Sequence, residues 1–204
     1  MAASTAASPP ATATPAAATA PAPASATPTA AATPPAASAP VIDVGASGIV
    51  GASGTTADLV PDAPLTIPVD GVQANQLVDT YEQARSEGRT HEAIDILAPR
   101  GTPVRAVADG RVAKLFTSRL GGLTVYQFDR RERLAYYYAH LDAYAPELAE
   151  GQVLRRGQVL GFVGASGNAS AEAPHLHFAV FVLGPERHWW EGAPLNPYPL
   201  LVTR

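Results

Sequence analysis

From residue 102 onward, apolar and polar positions in this chain alternate with a period close to two, which predicts strands. "TPVRAVADGRVAKLF" (residues 102–116) reads as two strands joined at Asp109-Gly110, a dipeptide suited to a tight turn. "GLTVYQF" (122–128) and "RLAYYYAHL" (133–141) read as a second pair around the charged stretch "DRRERL". "GQVLRRGQVLGFVG" (151–164) gives short strands punctuated by glycines, and "HLHFAVFVL" (175–183) gives one long strand. One stretch has a different rhythm. In "NQLVDTYEQARSEG" (75–88), Leu77, Val78, Tyr81 and Ala84 fall at i, i+1, i+4 and i+7, with Gly88 as a stop. The expectation is a mainly β domain: an antiparallel sheet with one short N-terminal helix.

Ahead of these elements the pattern vanishes. Apart from Met1, the first forty residues are all Ala, Pro, Ser or Thr, and the first charge is Asp43. Such a segment has too little bulky apolar surface to offset the entropy of ordering it. The run 45–54, Gly/Ala/Ser apart from Ile49 and Val50, continues that character. Residues 1–60 therefore read as a disordered Ala/Pro/Ser/Thr-rich tail or linker, and 61–204 as one folded domain. The tail resembles the wall- or periplasm-spanning linkers of exported proteins.

A net charge of −4 without a basic stripe argues against a nucleic-acid partner. The chain has no cysteine, so disulfides and thiolate ligands are excluded. No apolar run reaches the length of a membrane span, and no export signal is visible at the N-terminus.

Chemistry enters with the histidines. In "APHLHFAVF" (173–181) His175 and His177 alternate on one face of a strand, aimed into one place, as a metal site or a proton relay requires. His91 and Asp95, four apart in "HEAIDILAPRGTPV", also share a face. The neighbouring Glu92 invites comparison with H-E-x-x-H zinc proteases, but position 95 is Asp and a strand would turn Glu92 away, so it is not assigned as a base. His140 is a lone histidine in "YYYAHL". Taken singly, each of these signals is weak; four histidines and an aspartate in three strand-like segments of one small domain are not.

"HEAIDILAPRGTPVRAVADGRV", "YYYAHL", "EGQVLRRGQVLGFVGASGN" and "PHLHFAVF" together resemble, in order and spacing, the lysostaphin/LytM-type zinc endopeptidases of bacterial peptidoglycan. The similarity runs from about Ile67 to the end, where "LNPYPLL" looks like the family's closing segment. The resemblance implies a groove in the sheet domain, a Zn²⁺ cofactor held by His91, Asp95 and His177, and two non-ligand catalytic histidines, His140 and His175. It assigns His175 to proton transfer, and His140 to orienting water or stabilising an oxyanion. It further implies peptidoglycan peptide stems as substrate, an extracytoplasmic location (periplasm or cell envelope), and room for a regulatory protein partner. Two positions depart from the family pattern: Ala93 stands where Gly is common, and Ala179 where many members carry Glu. The "GASGNASAEAP" loop (164–174) resembles the family's groove wall.

A non-catalytic wall-associated regulator is the alternative, although relatives of that kind typically lack metal ligands and all five positions are filled here. A structural zinc fits less well, because such sites usually close four positions with protein ligands. His188, Trp189 and Trp190 lie outside the motifs and are expected to pack or face solvent. Tyr136 and Tyr138 are in phase with His140 on a strand and are expected chiefly to pack in the core.

Overall fold

The computed structural model describes residues 61–85 and 88–202. The Ala/Pro-rich tail expected over residues 1–60 lies outside them. Nine strands form one antiparallel sheet: β1 (Ile94–Leu97), β2 (Pro103–Arg105), β3 (Gly110–Ser118), β4 (Gly122–Asp129), β5 (Leu134–Tyr144), β6 (Val153–Leu154), β7 (Val159–Val163), β8 (His175–Val182) and β9 (Ala193–Leu195). The main path runs β1-β8-β5-β4-β3-β6; β9 pairs with β8, and β7 pairs with both β5 and β2. A short helix, α1 (Pro197–Val202), closes the described chain.

Period-two patterning sets the faces. On the inner face Ile94, Ile96, Val125, Tyr136, Tyr138, Leu176, Phe178 and Val180 are buried, joined by Val104, Leu154 and Leu160 from β2, β6 and β7. Each large apolar side chain so buried contributes ~1.5–3 kcal/mol. The innermost polar group is satisfied. Tyr138 donates its hydroxyl to Gln127 Oε1 (2.7 Å) and accepts from the Val107 N–H (3.0 Å), while Gln127 Nε2 donates to Ala108 O (2.7 Å). Tyr136 and Tyr138 thus belong to the core, as their pattern suggested.

Three sequence expectations change. The described residues of 75–88 form no α-helix; the segment begins with a 3-10 turn at Ala74–Gln76. Beyond it the backbone pairs with residues 89–92: Ala84 bridges Thr90, His91 N–H donates to Gln83 O, and Glu92 N–H to Tyr81 O. Tertiary pairing overrides a local helical rhythm here, and Val78, which that rhythm would bury, is exposed. The short helix of this fold is instead C-terminal. Asn196 Oδ1 accepts the Tyr198 N–H (2.9 Å) and Pro197 occupies the first turn, a standard helix start. Finally, Asp109-Gly110 does not close a hairpin. β2 pairs with β7 while β3 pairs with β4 and β6, so the chain changes partners there. A Cβ at Gly110 would lie 1.9 Å from Phe128 O, and this crowding explains the glycine.

The charged turn behaves as a surface feature. Asp129 Oδ1 accepts from the Arg133 and Leu134 N–H groups, and Arg111 and Arg187 pair with Glu132.

Removing the buried hydroxyl tests the core. Tyr138→Phe leaves the Val107 N–H and Gln127 Oε1 without their partner and is expected to cost about 1–3 kcal/mol in urea unfolding, with the denaturant slope unchanged.

Candidate metal centre and active site

β1 and β8 set the site. Their register places Asp95 opposite His177 and Leu97 opposite His175, and paired residues project to one face. With Ile94, Ile96, Leu176 and Phe178 holding the core side, Asp95, His175 and His177 emerge together on the outer side. His91 lies just before β1. Glu92, at φ 55°, turns the chain between them and returns the His91 ring toward Asp95.

Three atoms form a near-equilateral triangle. His91 Nε2 is 3.0 Å from His177 Nδ1 and 3.0 Å from Asp95 Oδ1, and the last two are 3.1 Å apart. Four ligands placed tetrahedrally at the ~2.0–2.1 Å typical of zinc would lie roughly 3.3–3.4 Å from one another. The triangle is therefore within a few tenths of an ångström of zinc's requirement. Two imidazoles and a carboxylate also form a donor set that leaves one position open.

Backbone carbonyls orient three of the rings. A carbonyl oxygen only accepts, so the nitrogen facing it carries the proton. His91 Nδ1 donates to Thr80 O (3.0 Å), His140 Nδ1 to Ser166 O (2.8 Å) and His175 Nδ1 to Ala173 O (2.9 Å). In each neutral ring the lone pair is then on Nε2. His175 Nε2 stands 3.7 Å from Asp95 Oδ1. The His140 ring centroid is 5.0 Å from that of His175 and 5.6 Å from that of His177.

His140 reaches this face through a break in β5. Strict alternation would send it inward with Tyr138. Instead it has φ 61°, and the β4–β5 register shifts beside it, re-aiming the ring as a β-bulge does. The break falls where β5 leaves β8, paired up to Ala139, and takes up β7 from Leu141. The Ser166 loop is fitted to it closely. Ser166 Oγ donates to Leu141 O and accepts from the Leu123 N–H. Gly167 has φ 75°, and a Cβ there would lie 2.2 Å from Leu120 O.

The charges follow from these surroundings. Burial alone would raise the Asp95 carboxyl, but hydrogen bonding from His177 and from His91, with their charge when a proton is shared within the triangle, outweighs it and holds the group well below the usual carboxylate range. Burial lowers the His140 imidazole to about 4, against the opposing pull of the Ser166 carbonyl, and burial likewise lowers His177.

Several supporting residues were absent from the sequence reading. Arg85 Nη2 donates to Asp95 Oδ2 at 2.6 Å, engaging the oxygen outside the triangle. Thr80 supplies the His91 carbonyl partner and also accepts the Asp95 N–H on Oγ1 (3.2 Å). Asp79 accepts from Asn196 Nδ2 (3.1 Å), tying the closing segment to the loop that carries Thr80. Such contacts pair residues far apart in the chain, and nothing in local pattern announces them. Glu92 is not among the converging groups.

Aromatic rings continue the site along the outer face. Tyr137 meets His177 edge-on at 6.0 Å; Tyr126 follows at 4.7 Å, Trp189 at 4.8 Å and Trp190 at 5.3 Å. Trp189 also packs on Phe116 and His188 stacks on Trp190, so the expectation of packing roles holds for Trp189. The tyrosine nearest the site is Tyr137, not Tyr136 or Tyr138.

The sequence pattern of Peptidase family M23 matches residues 89–197. The chain is 34% identical over 129 residues to the L-Ala--D-Glu endopeptidase of Bacillus subtilis, covering 60% of this chain and 38% of that protein. It is 40% identical over 110 residues to DD-carboxypeptidase/endopeptidase Mpg of Neisseria meningitidis, covering 53% and 22%. The chain thus spans well under half the length of these relatives. Its fold superposes on the catalytic domain of the antimicrobial peptidase lysostaphin from Staphylococcus simulans with a TM-score of 0.54 and 25% identity, covering 64% of this chain and 96% of that one.

The low His140 value gives a pH test. The unfolded imidazole, near 6.5, binds a proton before the folded one at about 4 does, so this group's stabilising contribution is present above ~6.5 and is lost as pH falls through that interval. NMR titration of the metal-free protein is expected to place His140 near 4, far below the ordinary imidazole value of ~6.5. Gly167→Ala, by displacing the Ser166 loop, is expected to move it back toward ~6.5.

Proposed function

Because the chain belongs to Peptidase family M23, we propose that it is a zinc-dependent endopeptidase that hydrolyses peptide cross-links in bacterial peptidoglycan, acting outside the cytoplasm. The observation that carries this reading is the triangle of His91 Nε2, Asp95 Oδ1 and His177 Nδ1, with the Nε2 atoms of two further imidazoles beside it. Relatives named L-Ala--D-Glu endopeptidase and DD-carboxypeptidase/endopeptidase support the substrate class, and no helix among the described residues is long and apolar enough to cross a membrane.

In this reading His91, Asp95 and His177 would hold the zinc, which would supply Lewis acidity to a scissile carbonyl and hydroxide near neutral pH. Arg85 engages Asp95 Oδ2 and leaves Oδ1 turned toward His91 and His177, where it would serve as the carboxylate ligand. His175, its Nδ1 proton committed to Ala173 O, accepts the proton of the attacking water on Nε2 and delivers it to the leaving amine. His140 is held neutral by burial with its Nδ1–H committed to Ser166 O, so its Nε2 accepts. That favours orienting the water over donating to an oxyanion. Filled ligand and proton-transfer positions weigh against a purely regulatory role.

Mass spectrometry of cross-linked muropeptides provides the test. The zinc-loaded chain is expected to convert dimers to monomers, a chelator to stop it, and the fragment masses to identify the bond. Asp95→Ala and His177→Ala are expected to lose zinc; His175→Ala is expected to retain it while turnover falls by ~10²–10⁴. Tight zinc binding with no cleavage of any cross-link offered would favour the regulator.

A further inference from the structure

Four ring contacts lead from His177 across the sheet to Trp190, whose indole remains 44% exposed. The end of this row differs from its middle. Tyr126, Tyr137 and Trp189 fill space against one another and against Phe116, whereas Trp190 stacks on His188 with centroids 4.5 Å apart and planes within 7°. That imidazole covers one indole face and Trp189 meets the indole at 80°, with centroids 5.3 Å apart, yet much of Trp190 stays open to solvent. The two rings make a flat slab on the loop between β8 and β9.

Charged groups surround the slab. Glu191 Oε2 accepts from His188 Nδ1 at 3.2 Å, and Glu186, Arg187, His188 and Glu191 line a hollow of about 100 Å³ beside it. A part-exposed indole stacked on an imidazole and bordered by carboxylates and a guanidinium matches a pyranose ring, which has an apolar C–H face and a rim of hydroxyl and amide groups. It suits an extended peptide less well, since peptides on sheet proteins are held mainly by main-chain bonds to a strand edge. The slab offers ring faces from loop residues instead.

Distance agrees with this reading. The four contacts put Trp190 at most roughly 20 Å from His177, a gap that an extended peptide of about six residues spans at ~3.4 Å per residue. A stem peptide cut at the metal centre therefore brings the sugar that carries it within reach of the slab.

We propose that Trp190 and His188 form a saccharide-stacking subsite that receives an N-acetylhexosamine ring of the glycan strand while the attached peptide lies along the aromatic row toward His177. The proposal rests on the peptidoglycan reading above.

The chain's two tryptophans, Trp189 and Trp190, both lie in this row, so intrinsic fluorescence reports the subsite directly. The full chain is titrated with a β-1,4-linked N-acetylglucosamine tetramer and, separately, with a sugar-free cross-linked stem peptide. A saturable fluorescence change with the tetramer is expected, weakened at least tenfold in Trp190→Ala and His188→Ala and largely kept in Trp190→Phe. Thermal unfolding of each variant verifies folding. No saturable change with the tetramer, or a tetramer response unaltered in Trp190→Ala, overturns the proposal. Cleavage of the sugar-free peptide by the wild-type chain is scored in parallel, so failure of the peptidase reading is distinguishable from failure of the subsite.

Discussion

The pairing of β1 with β8 is the constraint on which the rest depends. Asp95 faces His177 across the ladder, and a slip of one residue would send one of them into the core. What prevents that slip lies on the opposite face. Ile94, Ile96, Leu176, Phe178 and Val180 are each almost wholly buried, and the wrong register would expose them at ~1.5–3 kcal/mol apiece. Ordinary core packing thereby holds a polar triangle in register on the opposite face. The sheet needs no special device at the proposed metal site, only hydrophobic residues in phase on its back.

The strands were legible in the sequence for the same reason. Period-two patterns at residues 122–128, 133–141 and 175–183 correspond to β4, β5 and β8, whose inner residues are buried, and the H-x-H spacing carried directly into two rings on one face. Legibility ended where hydrogen bonds between distant segments decide the outcome. The apolar spacing of Leu77, Tyr81 and Ala84 read as a helix, but that backbone pairs with residues 89–92 and supplies the Thr80 carbonyl to His91. His140 was out of phase for the site by strict alternation, and only its positive φ turns it outward. Arg85 gave no signal, because its importance comes entirely from lying 2.6 Å from Asp95 Oδ2.

A division of labour follows between sheet and loops. Asp95 and His177 stand on paired strands, whose geometry is the most rigid available, as suits atoms that must agree to a few tenths of an ångström. The two histidines proposed to act on water are oriented from loops: His140 by Ser166 O and His175 by Ala173 O. A loop carbonyl selects the tautomer and leaves Nε2 free to exchange a proton. Gly167 and Gly122 matter in this respect, since each lets the 164–168 segment approach the β3–β4 turn more closely than a side chain would permit.

Electrostatics joins the metal reading to the stability of the domain. His91 Nε2 carries a lone pair toward His177 Nδ1 and Asp95 Oδ1, and a single proton can bridge only one pair of these three atoms at a time. Without a cation the centre retains an unfavourable contact, relieved in part by Arg85 drawing on the outer carboxylate oxygen. A divalent ion satisfies all three at once, and the unfolded chain, with its ligands dispersed, gains nothing comparable. Occupancy must then add roughly RT ln(1 + [Zn]/Kd) to folding, about 2.7 kcal/mol at a hundredfold excess over Kd. The same convergence that suits the site to a cation thus couples its occupancy to folding, so the ion proposed for catalysis would also stabilise the domain.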